Sequence, residues 1–153
     1  MSIDLRERKK LKKRTISLMD DWVFKAVIGD PEDEVCLSSF FQAIDPDFRK
    51  VRLLPGEKKA GHPDDKAIRY DICGVINEKI YFDLEIQRNG NPEEQGIRIV
   101  FYLSRLLSGQ RTKGKDYREL RPVRVIMITN FRFFDDPEVS SDVFYLVGEK
   151  TGR

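Results

Sequence analysis

Three carboxylates and one amide interrupt the most strand-like part of the sequence, residues 69–88, which reads RYDICGVINEKIYFDLEIQR. These polar residues are Asp71, Asp83, Glu85 and Gln87. Carboxylate oxygens are the ligands that hard divalent cations such as Mg²⁺ and Mn²⁺ prefer. The residue types therefore suit metal-dependent chemistry, provided that the fold brings the carboxylates to one place.

The spacing predicts a hairpin with strands over residues 67–76 and 80–88, joined near residues 77–79. Apolar residues occupy the even positions of both strands, so each strand has one apolar face; they are Ile68, Tyr70, Ile72, Ile76, Ile80, Phe82, Leu84 and Ile86. Both apolar faces can enter one core only if facing residue numbers share parity, which requires a loop of odd length. A three-residue loop places Asp71 directly opposite Glu85, with Cβ atoms ~5 Å apart.

This pairing has two interpretations. Opposed carboxylates repel each other unless a cation lies between them, and a Mg²⁺ or Mn²⁺ ion shared by Asp71 and Glu85 would remove the conflict. Alternatively, the strands present a solvated surface on which the carboxylates are hydrated and Arg69 or Arg88 offsets their charge. A five-residue loop or a bulge would also give Asp71 another partner. The pattern alone leaves these alternatives open.

A helix is predicted after the hairpin, from the capping sequence Asn91-Pro92 to about Leu107, with Gly109 just beyond it. Its polar stripe is separate from an apolar one; the polar residues are Arg98, Tyr102 and Arg105, and the apolar ones Ile97, Val100, Phe101 and Leu107. Arginine and tyrosine side chains suit phosphate oxygens, so this stripe could face the carboxylates and hold a phosphate. The alternative is a solvated face of an amphipathic helix.

The other elements predict an α/β (α+β) fold with a mixed sheet flanked by helices. A helix near residues 20–28 should end at Gly29, and a second should restart at Asp30-Pro31 and end at Asp45-Pro46. Further strands are predicted over residues 49–54, 122–131 and 143–147. The segment 122–131 is apolar on both faces, which favours a central strand of a covered sheet.

Length and composition narrow the class of protein. A chain of 153 residues with 40% hydrophobic residues predicts one globular domain. No apolar run approaches the roughly 18 residues of a membrane span, so the expected compartment is the cytosol, with no membrane partner. Cys36 and Cys73 are interpreted as reduced core thiols. His62 is the single histidine and lies in a predicted loop. With only one histidine, the usual zinc and Ser-His sites are not expected.

The charge is unevenly distributed along the chain. The net charge is +2, yet residues 6–14, RERKKLKKR, are almost wholly basic. Residues 1–15 are therefore predicted to be a basic arm that either lies on phosphates or is a solvated tail.

An Asp followed after about a dozen residues by Glu-x-Gln resembles the PD-(D/E)xK nuclease superfamily, and the chain is most similar to its recombination-promoting nuclease and transposase branch. Five segments carry the resemblance: DDWVFKAVIGD (20–30), RYDICG (69–74), DLEIQ (83–87), the Arg98-x-x-x-Tyr102 helix and GKDYRELRPVRVIMITNF (114–131). Their order is more specific than any one of them.

The resemblance implies a restriction-endonuclease-like fold in one domain, residues 16–153, and a metal-dependent DNA endonuclease associated with mobile elements or recombination. The implied ligands of Mg²⁺ or Mn²⁺ are Asp71, Glu85 and the Ile86 carbonyl. By the same resemblance Asp21 is the acidic residue of the first helix, and Gln87 stands where many relatives have the catalytic lysine. The implied contacts to the DNA backbone are Lys25, Arg98 and Tyr102. Whether the chain forms a homodimer stays open.

Two features leave other functions possible. Gln87 departs from the common motif of the superfamily, although it is similar to the Glu-x-Gln form of this branch, and it cannot carry a proton or a positive charge at neutral pH. Relatives also continue past residue 153, so a C-terminal truncation is expected. The alternatives are an inactive nucleic-acid-binding relic of a mobile element, or an assembly module that exposes an apolar surface through Phe131, Phe133 and Phe134. The other interpretation of these phenylalanines is that they belong to the core.

Overall fold

The structure is a computed structural model that describes residues 17–54, 71–110 and 116–152. The predicted basic arm lies outside these ranges, as do His62 and Arg69. Within the described ranges, no helix has the length and apolar character needed to cross a bilayer.

Three helices flank a four-stranded mixed sheet, which confirms the predicted fold class. In chain order the elements are α1 Asp21–Ile28, α2 Glu34–Ile44, β1 Val51–Leu54, β2 Ile72–Ile76, β3 Ile80–Gln87, α3 Pro92–Ser108 and β4 Val123–Thr129, with a short 3₁₀ turn at Tyr117–Glu119. The strand order is β1-β2-β3-β4. The pairs β1-β2 and β2-β3 are antiparallel, whereas β3 and β4 are parallel.

The turn between β2 and β3 fixes the register of the hairpin. Ile76 pairs with Ile80, so the loop has the predicted length of three residues. Asn77 and Glu78 both have positive φ, 50° and 62°, in the left-handed region that Asn tolerates better than most residues. The Asn77 side chain anchors the turn, because its Oδ1 accepts from the amides of Arg49 and Lys50 at 3.0 Å each.

The two faces of the sheet are covered by different helices. The even-numbered side chains of β2 and β3 pack against α1 and α2 in the main core, which contains Phe24, Ile28, Leu37, Phe41, Phe48, Ile72, Ile76, Phe82, Leu84 and Ile86. On the opposite face, Leu106 of α3 packs with Cys73, and Tyr81, Tyr102 and Val123 lie around them. The odd-numbered face, which holds the carboxylates, is therefore covered by α3.

The helix boundaries follow their caps. The second helix does not restart at Asp30-Pro31, because the Asp30 side chain accepts from the Glu32 amide within a turn at 2.9 Å. It begins instead at Glu34, where the Asp33 carboxylate caps the Cys36 amide at 2.9 Å. For α3, Asn91 is the N-cap as predicted and accepts from the Glu93 amide at 2.8 Å.

The strand predicted over residues 122–131 is confirmed as β4, but its predicted central place in the sheet is wrong, and so is the strand predicted over residues 143–147. β4 forms an edge of the described sheet rather than its centre, and its residues are all partly exposed. Residues 143–147 form no strand, and each of their side chains is at least 58% exposed. A high content of β-branched and aromatic residues does not suffice for a strand without a paired neighbour.

The predictions for the two cysteines and for the phenylalanines at 131, 133 and 134 are met only in part. Both cysteines are free thiols, with Cys73 buried and Cys36 partly buried against the core. Phe131, Phe133 and Phe134 are partly exposed, so they are neither in the described core nor fully at the surface.

Candidate active site

Asp71 and Glu85 face each other at the end of the β2-β3 hairpin. The last paired residues are Ile72 and Leu84, so the next facing positions are 71 and 85. The Asp71 amide donates to Glu85 Oε1 at 3.3 Å, and the Ile86 amide donates to Asp71 Oδ2 at 3.4 Å. These reciprocal contacts hold the two carboxylates in the opposition that the loop length predicts.

The carboxylate face is buried rather than hydrated. Glu85 is 2% exposed and Asp83 is fully buried, because α3 lies over this side of the sheet. Arg88 does not offset their charge, since its guanidinium pairs with Asp20. The interpretation as a solvated strand surface is therefore wrong for these two residues.

Each of the opposed carboxylates has a cationic neighbour. Lys25 Nζ lies 2.8 Å from Asp71 Oδ1 and 2.9 Å from Asp21 Oδ1. Asp21 and Lys25 are four residues apart on α1, so one face of this short helix presents both groups to Asp71. Arg98 Nη2 of α3 lies 3.8 Å from Glu85 Oε2. Charges from two helices thus converge on the end of the hairpin.

Burial and repulsion perturb the titration of this cluster. Desolvation, followed by the charge of Asp71, raises the pKa of Glu85 to about 7, although Arg98 and Lys25 partly oppose the rise. Burial lowers the pKa of Lys25, but its hydrogen bonds to Asp71 and Asp21 outweigh that effect and raise it overall. Lys25 is therefore a fixed positive charge, whereas Glu85 is easily protonated.

Asp83 is a third acid that the pattern placed on this face but that was not proposed as a site residue. It lies between Cys73 on β2 and Val125 on β4, and neither of its carboxyl oxygens has a hydrogen-bond partner. Desolvation, with the charges of Glu85 and Asp71, raises its pKa to about 8. Its position two residues before Glu85 was the signal in the sequence, but its complete burial depends on the tertiary structure.

A cleft of about 420 Å³ opens beside the carboxylates. Seven of the eight predicted site residues line it, namely Asp21, Asp71, Glu85, Ile86, Gln87, Arg98 and Tyr102. The eighth, Lys25, lines an adjoining cleft that shares Asp71. Residues from α1, the hairpin and α3, far apart in sequence, are thus brought to one place. Arg105 does not line this cleft, although the helical spacing grouped it with Arg98 and Tyr102.

The polar side of α3 is organised by contacts within the helix. Arg98 Nη1 donates to Gln95 Oε1 at 3.2 Å, and Arg98 Nη2 donates to the Tyr102 hydroxyl at 3.1 Å. The guanidinium also lies 5.6 Å from the centre of the Tyr102 ring. These contacts hold the guanidinium at the wall of the cleft, close to Glu85.

Residues 18–153 match the model of a protein family described as PD-(D/E)XK nuclease family transposase. The chain belongs to this family. No curated protein and no solved structure matches the chain. PD-(D/E)XK nucleases generally use divalent metal ions.

The cleft has the donor chemistry that such an ion requires, although its carboxylates are few. Within residues 17–54, 71–110 and 116–152, no three His, Cys, Asp or Glu side chains form a metal cluster by themselves. Asp71 and Glu85 supply two carboxylates, and a third ligand would have to come from the backbone, from water or from substrate. Mg²⁺ commonly binds in this way, with one or two carboxylates and several retained waters. Burial and repulsion from Asp71 raise the pKa of Glu85, and a bound cation would oppose both effects.

Gln87 is where this chain departs from the superfamily motif. It lines the cleft two residues after Glu85, in the position of the motif lysine. An amide can donate and accept hydrogen bonds but has no charge. An ammonium group does contact Asp71, but it is that of Lys25, which comes from α1.

Proposed function

We propose that this protein is a metal-dependent DNA endonuclease that hydrolyses phosphodiester bonds and acts on mobile elements or in recombination. The observation that supports this most is the opposed pair of the partly buried Asp71 and the buried Glu85, at the edge of a polar cleft and flanked by Lys25 and Arg98. Opposed acids repel each other unless a cation lies beside them, and perturbed acids that line a cleft are typical of functional sites.

The residues that would hold one or two Mg²⁺ or Mn²⁺ ions are Asp71, Glu85 and the backbone carbonyl of Ile86. A bound ion would lower the pKa of a water molecule and neutralise charge on the phosphate. Metal binding requires an ionised Glu85, so its pKa of about 7 makes the free site depend on pH near neutrality.

Arg98 and Tyr102 are proposed to hold the phosphate that is cleaved. The guanidinium has a planar set of donors that matches phosphate oxygens, and the Tyr102 hydroxyl beside it adds a further donor. Contacts to phosphate carry no direct information on base sequence. We therefore expect weak sequence preference.

Lys25 is proposed to supply the positive charge that Gln87 lacks. In the free protein it neutralises Asp71 from the α1 side. A phosphate entering the cleft would give the ammonium group a second anionic partner close to the scissile bond. Gln87 would then orient a water or a phosphate oxygen through its amide. Asp21, which also contacts Lys25, would position it.

A second candidate function is nucleic-acid binding without cleavage, and the uncharged Gln87 is the observation that favours it. In that case the carboxylates would persist without catalysis, and affinity for DNA would come from the basic side chains. Such binding would weaken steeply with salt, because it depends on counterion release.

The test is cleavage of supercoiled plasmid with Mg²⁺, with Mn²⁺ and with EDTA, by the full chain and by Asp71→Asn and Glu85→Gln. These substitutions nearly preserve shape but remove the charge that a metal requires. Asp135→Asn, at an exposed position, is the matched control. Circular dichroism of each variant checks that the fold is retained.

The proposal predicts cleavage with either metal, none with EDTA, and loss of cleavage only in the two site variants. Folded Asp71→Asn and Glu85→Gln proteins that cleave at the rate of the wild type would refute the assignment. A salt-sensitive shift of DNA with no metal-dependent cleavage would select the second candidate.

A further inference from the structure

The third helix is apolar on two sides, because Leu106 is buried against the sheet while other apolar residues face away from it. Its polar residues Gln95, Arg98 and Tyr102 face the sheet, where Gln95 is 2% exposed. Its apolar residues Ile97, Val100 and Phe101 face outward, with exposures of 68%, 62% and 51%. A surface helix normally turns its apolar stripe to the core. The need to line the site with polar groups explains the inner face but not the apolar outer one.

The middle and the C-terminal part of the outer stripe can be buried without leaving polar groups unpaired. Glu93 lies at the N-terminal end of the stripe, one turn before Ile97, and the polar members farther along are Ser104 and Ser108. Ser104 Oγ already donates to the Val100 carbonyl at 2.8 Å, and Ser108 Oγ donates to the Arg105 carbonyl at 3.2 Å. Because these hydroxyls are satisfied within the helix, covering them costs little. The small Ser104 side chain, near the middle of the stripe, also allows another helix to approach closely.

One edge of the stripe carries a negative charge near one end and a positive charge near the other, so it is complementary to the same edge of an antiparallel second copy. Glu94 and Arg105 lie on the same edge of α3 at opposite ends, since helical spacing of 100° per residue brings positions 94 and 105 within about 20° of each other. Glu94 lies five residues before Ile99, and Arg105 lies five residues after Val100. An antiparallel pair of identical helices centred between Ile99 and Val100 therefore aligns Glu94 of each copy with Arg105 of the other.

We propose that the outer face of α3 is an isologous interface between two copies of this chain, with the two helices antiparallel. The apolar centre is formed by Ile97, Val100 and Phe101 of both copies, and a Glu94-Arg105 pair closes each end. A two-fold axis generates the same contact twice, which is the usual arrangement of homodimers. Opposite charges at both ends fix the antiparallel direction, because a parallel pair would place like charges together.

The test is sedimentation equilibrium of the full chain over a wide range of concentration, with circular dichroism to confirm folding. The first variant is Val100→Glu, at a position that is exposed in the monomer and lies beside its own symmetry mate at the axis. Two buried like charges should weaken the dimer by ~100-fold or more. Val35→Glu, at a 78% exposed position on α2, is the matched control and should leave the dimer unchanged.

Charge reversal tests the direction of the helices. Glu94→Arg alone and Arg105→Glu alone place like charges at both ends and should each weaken the dimer by about tenfold. The double variant restores opposite charges and should return to the affinity of the wild type. The proposal would be overturned by any of three results. These are a wild-type chain that stays monomeric, a Val100→Glu variant that dimerises as tightly as the wild type, and a double variant whose dimer is no tighter than those of the single variants.

Discussion

Replacing Asp83 by Asn should make the protein more stable at high pH and should reduce the dependence of its stability on pH, of which the raised pKa of Glu85 leaves a part. Asp83 is fully buried without a hydrogen-bond partner, and its pKa is raised from 3.8 to about 8. The folded state therefore holds a proton that the unfolded state releases. A raised pKa contributes stability that is complete below pH 4 and is lost as the pH rises through 8.

The size of the effect follows from the same two pKa values. A tenfold change in a protonation equilibrium is about 1.4 kcal/mol, so the interval from 3.8 to about 8 corresponds to a loss of ~5 kcal/mol by pH 8. Asparagine has nearly the same shape and does not titrate. At pH 4.5, where wild-type Asp83 is protonated when folded, neither side chain carries a charge and the two proteins should agree to within ~1 kcal/mol. Since about 1 kcal/mol of this loss has already occurred at pH 4.5, the variant should be more stable by ~3 to 5 kcal/mol at pH 8.

The assay is urea unfolding followed by far-UV circular dichroism, with EDTA present, from pH 4.5 to pH 8.5. Asp135→Asn at the surface is the control and should track the wild type at every pH. The reasoning would be refuted if the free energies of unfolding of the wild type and of Asp83→Asn changed in parallel with pH. That result would mean that Asp83 gains a partner or water in solution.

Three other predictions follow from the packing and charges. Gly74→Ala should lower the free energy of unfolding by ~1 to 3 kcal/mol, because the added methyl would meet the Arg52 carbonyl oxygen at 2.3 Å and the Phe82 ring at 2.7 Å; unchanged urea unfolding would contradict it. Affinity for Mg²⁺ should rise with pH up to about 7 and then level off, since Glu85 must lose a proton to bind; a flat profile by titration calorimetry would exclude Glu85 as a ligand. Lys25→Ala should slow single-turnover cleavage by ~10² to 10³ fold, with Lys25→Arg retaining more activity; wild-type rates for the alanine variant would remove Lys25 from the reaction.

The hairpin shows how much of the site local sequence can specify. Alternation of side chains and the length of the turn are short-range properties, and together they predicted that Asp71 faces Glu85. The order of segments likewise indicated the family, and with it most of the residues that line the cleft. The same short-range signals failed for residues 143–147, where strand composition occurs without a paired neighbour.

The sequence by itself determined the pairing within the hairpin and the identity of the polar residues, because both depend on periodicity and on neighbours a few positions away. Only the tertiary structure decided which helix covers each face of the sheet. That choice buries Asp83 and Glu85, brings Lys25 of α1 onto Asp71, and leaves Ile97, Val100 and Phe101 of α3 exposed. These outcomes depend on contacts between distant segments of the chain. Lys25 and Asp71, for example, are more than 40 residues apart in sequence, and no local pattern encodes their contact.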